Sequence, residues 1–100
     1  MLKKDLMELC LLHLLSAGDA YGYEVLRSIY ESFHGTQESA IYAMLRQLCR
    51  DGYTQQYEGK ASGGPTRKYY RITEAGKAKR DRLLVEWRHL RDTLAALGVE

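Results

Sequence analysis

The chain has few residues that could cross-link or stiffen it, with one proline and two cysteines among its 100 residues. Cys10 and Cys49 are too few for a disulfide framework, and both lie in apolar helical patterns, so we expect reduced core thiols in a cytoplasmic protein. No apolar run approaches the roughly 20 residues that span a bilayer, so no membrane association is expected. Glu8, His13 and the lack of a small-residue cleavage site argue against a signal peptide.

Strong charge of either sign is also missing, since 15 Lys and Arg oppose 13 Asp and Glu, for a net charge of +2. This balance does not by itself indicate a nucleic-acid partner. The distribution says more, because residues 60–70 contain Lys60, Arg67 and Lys68 and no acid. An apolar content of 45% excludes disorder. One hundred residues suit a single small domain with a modest core, which favours an oligomer that shares hydrophobic surface.

Arrangements typical of catalysis or metal binding do not stand out in the sequence. We find no nucleophile–base–acid set, phosphate loop or paired carboxylates, so no enzyme activity is predicted. Cys10 and His13 share a face of the first predicted helix, but no further ligand has suitable spacing, and neither a metal nor a cofactor is predicted. Nothing near either cysteine in sequence is arranged to lower a thiol pKa, which argues against oxidation sensing.

Apolar periodicity predicts three helices in the first half of the chain. The first covers residues 3–17, and its leucines leave so little polar face that it should be covered on more than one side. The second covers about 21–33, and its buried stripe is Val25, Leu26, Ile29, Tyr30 and Phe33. Thr36 is the predicted N-cap of the third, about 37–50. The buried stripe of that helix is Ile41, Leu45, Leu48 and Cys49.

The second half of the chain predicts a hairpin and a long helix. Residues 53–57 and 68–72 are rich in tyrosine and β-branched residues, and the tip between them contains three glycines and the only proline. Thr73 should cap a helix that runs to Leu97 and ends at Gly98. The predicted fold is therefore mainly α with a small β-hairpin. It is a winged helix-turn-helix over residues 1–72, followed by a C-terminal dimerisation helix over 73–100.

The outer face of the third helix has the residue types that suit a DNA major groove. Small and hydroxylated residues allow close approach and hydrogen bonding, and arginine can reach guanine or phosphate. This face comprises Ser39, Tyr42, Ala43, Arg46 and Arg50. Taken alone, it could be an ordinary solvated surface. The basic hairpin downstream, with Arg67 and Lys68, favours a helix that reads DNA and a wing that grips the backbone.

Three segments of the chain resemble motifs of the PadR family of bacterial transcriptional regulators. Residues 20–25 (AYGYEV) resemble the opening of its second helix, and 40–48 (AIYAMLRQL) resemble its recognition helix. Residues 63–76 (GGPTRKYYRITEAG) resemble its wing and the start of its last helix. Ala40 and Ala43 depart from the family's usual Thr and Pro, so an operator sequence cannot be carried over.

The resemblance implies a homodimeric regulator, expected to be a repressor, that binds a pseudo-palindromic operator in double-stranded DNA. The predicted DNA-binding residues are Gln37, Ser39, Ala40, Tyr42, Ala43, Arg46, Arg50, Gly64, Arg67 and Lys68. The predicted dimerisation residues are Leu2, Leu6, Leu83, Trp87, Leu90, Leu94 and Leu97, the last five of which follow heptad spacing.

The resemblance also implies release from DNA by a small effector, since many relatives release DNA when they bind aromatic molecules. Trp87 matches the tryptophan on which some short-tailed members stack flat hydrophobic compounds at the dimer centre. The predicted effector site is Leu6, Leu9, Leu84, Trp87 and Arg91.

Two alternatives stay open at the level of sequence. Trp87 could be an ordinary packing residue on a heptad seam. The winged helix could be a protein–protein interaction module without DNA binding, which salt dependence would discriminate. For the other tyrosines we predict core or wing positions for Tyr69 and Tyr70, and packing within the second helix for Tyr21, Tyr23 and Tyr30.

Overall fold

The computed structural model describes residues 1–60 and 64–99, which form four helices and a three-stranded antiparallel sheet. The elements are α1 (Lys3–Ala17), β1 (Ala20–Tyr21), α2 (Gly22–Ser32), α3 (Glu38–Arg50), β2 (Thr54–Lys60), β3 (Thr66–Ile72) and α4 (Glu74–Ala96). The predicted fold class, helices and hairpin are confirmed. The strands reach further into the predicted tip than expected, and residues 61–63 of that tip lie outside the described residues.

The sheet has the strand order β1-β3-β2, so β3 is central and a third strand was missed. β1 pairs with β3 through Ala20 opposite Tyr70 and Tyr21 opposite Tyr69. The sequence prediction placed Tyr21 in the second helix, which in fact begins at Gly22. A two-residue strand has no alternation pattern to detect, and only its pairing with β3 makes it a strand.

The core lies between α1, α2, α3 and the inner face of β3. The most deeply buried apolar side chains are Leu11, Leu12, Leu15, Val25, Leu26, Ile29, Ile41, Leu45 and Leu48. The predicted stripes of α2 and α3 are thus largely confirmed, and Cys49 and Phe33 are partly buried against this cluster. Tyr23 and Tyr30 were predicted to pack within α2 and are about half exposed, at 51% and 49%. Tyr23 precedes the stripe by two residues and Tyr30 lies at its edge beside Ile29, so the helical repeat turns both towards water, where their hydroxyls are solvated.

The predicted helix caps have mixed outcomes. Thr36 was predicted to cap α3, but Gln37 holds the N-cap position without a side-chain hydrogen bond. The Thr36 side chain is instead buried, and its hydroxyl has no partner among the described residues. Thr73 does cap α4, because its Oγ1 accepts a hydrogen bond from the backbone N–H of Gly76 at 3.1 Å. Gly98 follows the end of α4 at φ 88°, as predicted.

The base of α4 is fastened to the segment that follows α3. The backbone N–H of Thr73 donates to the carbonyl oxygen of Tyr53 at 3.1 Å, and its hydroxyl donates to the carbonyl oxygen of Gly52 at 2.7 Å. A Cβ at Gly76 would overlap the Tyr53 carbonyl oxygen, so only glycine permits this approach. The direction in which α4 leaves the winged helix is therefore fixed by backbone contacts.

The second half of α4 carries an uncovered apolar row, which consists of Trp87, Leu90, Leu94 and Leu97. Their exposures rise from 36% at Leu90 to 75% at Leu97. Leu83, also predicted to face a partner, is only 9% exposed and is buried within the chain itself. Among the described residues, no helix is both long and apolar enough to cross a bilayer.

Candidate nucleic-acid interface

A strip of small and basic side chains runs along the outside of α3. Ser39, Ala40, Ala43, Arg46 and Arg50 are all exposed, as is Gln37 just before the helix. The helix exposes them because Ile41, Leu45 and Leu48 turn the opposite side into the core. The predicted outer face of α3 thus has the exposure that a reading helix requires.

Two members of the predicted face differ from the rest. Tyr42 is only partly exposed, and its ring packs on the backbone at Gly22, where a Cβ would meet Cε1 at 3.1 Å. Arg50 donates from Nη2 to Oε1 of Gln47 at 2.7 Å, while Gln47 donates from Nε2 to Oδ1 of Asp51 at 2.9 Å. This chain of hydrogen bonds ties Arg50 to the end of the helix, whereas Arg46 makes no ion pair within the described part of the chain.

A basic groove of about 400 Å³ separates α3 from the wing, formed by the hairpin of β2 and β3. It brings together four of the predicted DNA-binding residues, Tyr42 and Arg46 from α3 and Arg67 and Lys68 from β3. Its described lining contains three cationic side chains and no carboxylate. Such a groove attracts a polyanion that passes between the helix and the wing.

Arg67 and Lys68 lie on opposite faces of β3, because successive strand residues alternate. Lys68 shares a face with Tyr70, which is buried and whose hydroxyl accepts a hydrogen bond from Nε2 of Gln56 at 3.0 Å. Arg67 shares the outer face with Tyr69 and Arg71. The two adjacent basic residues of the wing therefore present charge on both of its sides.

Ala40 and Ala43 border a different groove, on the side of α3 away from the wing. This groove, of about 400 Å³, also contacts Lys4, Glu8 and Lys79. Glu8 is buried, and its Oε2 lies 2.8 Å from Nζ of Lys79, which joins α1 to α4. Six of the ten predicted DNA-binding residues are thus divided between two grooves that flank the exposed strip of α3, and Gln37, Ser39, Arg50 and Gly64 line neither groove. The burial of Glu8 was not predicted, because a helical repeat does not identify a lysine on a distant helix.

A separate, apolar groove of about 510 Å³ lies between α1, α2 and α4. Four of the predicted effector residues line it, namely Leu6, Leu9, Leu84 and Trp87. The fifth, Arg91, lies outside it, with its guanidinium 5.1 Å from the centroid of the Trp87 ring. A further wall that was not predicted comes from α2, which supplies Ser28, Ile29 and Ser32, and from Phe33 directly after it.

Polar and titratable side chains at this apolar groove are few. Cys10, His13 and Arg80 contribute to its lining. Burial raises the pKa of the Cys10 thiol, so the thiol is protonated at neutral pH. Within residues 1–60 and 64–99, no group of three or more His, Cys, Asp and Glu side chains gathers in a way that could hold a metal ion. The groove is suited to a hydrophobic occupant.

Comparison with known proteins relates this geometry to a family. Residues 11–82 match the family described as transcriptional regulator PadR-like. An uncharacterised protein of Lysinibacillus sphaericus is 33% identical over 87 residues, which cover 84% of this chain and 80% of that protein. A PadR-like transcriptional regulator from Bacillus cereus superposes with a TM-score of 0.85 at 28% identity, covering 92% of this chain and 90% of that one. Bacillus subtilis PadR, solved in complex with operator DNA, shares the fold with a TM-score of 0.68 at 24% identity, over 80% of this chain and 47% of that one.

Proposed function

We propose that this chain, which belongs to the PadR-like family of transcriptional regulators, is a homodimeric repressor that acts in the cytoplasm. In this proposal it binds a pseudo-palindromic operator and is released by a small aromatic or hydrophobic effector. Members of the family are transcriptional regulators and not enzymes. The observation that carries the proposal is the basic groove between α3 and the wing. Arg46 faces it from α3, Arg67 and Lys68 face it from the wing, and its described lining contains no carboxylate.

The shape of this surface supports contact with duplex DNA. The small side chains Ser39, Ala40 and Ala43 let the backbone of α3 approach base edges, and Arg46 reaches beyond them. The wing cations lie across the groove from the helix, where the sugar–phosphate backbone passes. Bacillus subtilis PadR, which has the same fold, was solved with operator DNA, and this likeness adds support.

Replacing Arg46 by alanine is expected to weaken binding to the operator by about 1–3 kcal/mol, because an exposed guanidinium at the groove is lost. Replacing Lys68 should weaken binding to all sequences about equally and should lower the salt slope by about one unit, if it contacts one phosphate. Mobility shifts with the DNA upstream of the protein's own gene, at several salt concentrations, measure both effects.

Arg27→Ala is the matched control for these variants. It also removes one arginine, but Arg27 is on α2, outside the basic groove and outside the groove beside Ala40 and Ala43. Its guanidinium lies 3.6 Å from the carboxylate of Glu31. The affinity of Arg27→Ala for DNA should match that of the parent. A parent protein that binds no DNA, or binds with no dependence on salt, would favour a winged helix used for protein contacts instead.

The effector part of the proposal rests on the apolar groove and its position. Its walls come from α1, α2 and α4, and Trp87 offers an indole face at one side. An aromatic occupant would gain from stacking as well as from burial. α1 and α4 are joined by the Glu8–Lys79 ion pair beside α3. An occupant that separates these helices would therefore also move α3. It would lower DNA affinity to the extent that it binds this altered state more tightly than the DNA-binding state.

Flat hydrophobic dyes are expected to quench the fluorescence of Trp87, the only tryptophan. Trp87→Ala should weaken dye binding at least about fivefold, because each indole face stacked on the ligand contributes roughly 1 kcal/mol beyond area burial. Fluorescence of the dye itself reports binding to the variant. Val85→Ala, at an exposed position outside the groove, should bind as the parent does. If no compound quenches Trp87 at concentrations up to millimolar, or if Trp87→Ala retains full affinity, the effector site is wrong.

A further inference from the structure

A row of three tyrosines crosses the outer face of the sheet, one from each strand. Tyr21 lies opposite Tyr69 in the pairing of β1 with β3, and Tyr69 lies opposite Tyr57 in the pairing of β3 with β2. The Tyr21 and Tyr69 rings meet edge to face with centroids 5.7 Å apart, and the Tyr57 and Tyr69 rings stack with centroids 5.6 Å apart. These three side chains form one continuous aromatic surface, here named the tyrosine row.

Two arginines of β3 lie against opposite ends of the tyrosine row. Arg71 sits with its guanidinium carbon 4.8 Å from the centroid of the Tyr57 ring, and Arg67 sits at the same distance from the Tyr21 ring. Both are two residues from Tyr69, so the strand repeat places all three on the same face. The row therefore has a cation at each end.

The two ends differ in their partners. Asp19 lies 3.3 Å from Nε of Arg71 and accepts a hydrogen bond of 2.6 Å from the hydroxyl of Tyr57. The Asp19 hydrogen bond raises the pKa of Tyr57, so this hydroxyl remains a donor at neutral pH. Arg67 has no carboxylate within ion-pair distance among the described residues. One end of the row is anchored and neutralised, while the other keeps its charge.

Gly59 leaves room for the Tyr69 ring on the β2 side of Arg67. It lies directly opposite Arg67 in the pairing of β2 with β3. A Cβ there would lie 2.9 Å from Cδ1 of Tyr69, so the Tyr69 ring occupies the space beside Gly59. The Arg67 side chain then has the Tyr21 ring, on the other neighbouring strand, as its platform.

We propose that Tyr21 is a positioning residue for Arg67. Its ring holds the Arg67 guanidinium on the exposed face of the wing, in an orientation from which the guanidinium can contact a DNA phosphate. This inference rests on the proposed DNA binding. A stacked guanidinium uses its flat face for the ring and leaves its N–H donors at the edge, where phosphate oxygens can accept two hydrogen bonds. Holding the long side chain in one orientation before binding also reduces the entropy that is lost on the DNA.

A double-mutant cycle on DNA affinity tests the inference. Tyr21→Leu is expected to weaken operator binding about two- to fivefold, which corresponds to the usual strength of an exposed cation–π contact. In the Arg67→Ala background the same change should have no further effect, because Tyr21 acts only through Arg67. Tyr21→Phe keeps the ring and should bind as the parent does. Melting temperatures, measured alongside, report any change in the sheet.

Arg67→Lys provides a second test that leaves the tyrosine row untouched. Lysine keeps the charge but lacks the planar group, so its affinity should fall to about that of Tyr21→Leu without a change in melting temperature. Additive losses from Tyr21→Leu and Arg67→Ala, or full affinity of Arg67→Lys, would overturn the inference while leaving the DNA-binding proposal intact. If the parent fails to bind DNA, both are overturned.

Discussion

Gly76→Ala is expected to destabilise the fold by about 2–3 kcal/mol, although alanine is the better helix former. A Cβ at this position would overlap the carbonyl oxygen of Tyr53 and lie 2.8 Å from Cγ1 of Ile72. Moving the Tyr53 carbonyl away would weaken the hydrogen bonds that hold this segment. Its oxygen accepts a hydrogen bond from the backbone N–H of Thr73 at 3.1 Å, and the N–H of Tyr53 donates to the carbonyl oxygen of Leu48 at 2.9 Å. Forced overpacking usually costs about 1–3 kcal/mol and occasionally more, and an overlap with a hydrogen-bonded backbone carbonyl belongs at or above the upper end of that range. The helix propensity gained is at most about 1 kcal/mol, so the clash should decide the sign.

Denaturant unfolding of the parent and the variant measures this difference as a shift of the midpoint at constant slope. Gly18→Ala is the matched control, because Gly18 has an extended backbone and a Cβ added there would meet no atom within 4 Å. Its stability should stay within about 0.5 kcal/mol of the parent. Equal stabilities for Gly76→Ala and the parent would mean that α4 does not lie this close to Tyr53.

The double variant Leu90→Glu with Leu94→Glu is expected to make the protein monomeric and to weaken operator binding at least about 100-fold. Both leucines are exposed in the single chain, in the row with Trp87 and Leu97, and glutamates there would face each other across a dimer axis. A dimer holds its second reading helix near the second half-site, and linkage of this kind adds a factor of about 10²–10⁴ to affinity. Sedimentation at micromolar concentration and mobility shifts measure the two effects.

Val85→Glu with Ala96→Glu is the control for this variant, since it adds the same charge to α4 at exposed positions off the heptad row. It should remain dimeric and bind DNA as the parent does, apart from a small electrostatic loss. Should the parent itself sediment as a folded monomer at micromolar concentration, the proposed dimer would be wrong.

Local sequence patterns were sufficient to predict the four helices, the hairpin and most of the core. The stripes of α2 and α3 repeat at helical spacing, so their buried faces follow from the period alone. Thr73 could be recognised as a cap and Gly98 as a helix end, because both signals act within one turn of the chain. The basic residues of the wing could also be recognised, since Arg67 and Lys68 follow the only proline, Pro65, by two and three residues.

Other features depended on contacts between distant parts of the chain. β1 exists only because it pairs with β3, and this pairing makes α2 begin at Gly22 instead of Tyr21. The same pairing places Tyr21 opposite Tyr69 and so forms one end of the tyrosine row. Thr36 looked like a cap by residue type, yet the chain turns it inwards and begins α3 after Gln37. Leu83 fits a heptad as well as Leu90 does, but packing within the chain buries it and leaves Leu90 exposed.

The features of the candidate nucleic-acid interface fall into the same two groups, those set by local sequence and those set by contacts between distant parts of the chain. The side chains that α3 and the wing present follow from local sequence, because the helical period and residue type fix the exposure of Ser39, Ala43 and Arg46. The three-dimensional arrangement was needed to show that Arg46 faces the wing across one groove while Ala40 borders another, and that the Arg67 guanidinium lies over the Tyr21 ring. The physical reason is that a period specifies a face of one element, whereas a groove is formed by two elements whose relative position is set by non-local strand pairing and core packing.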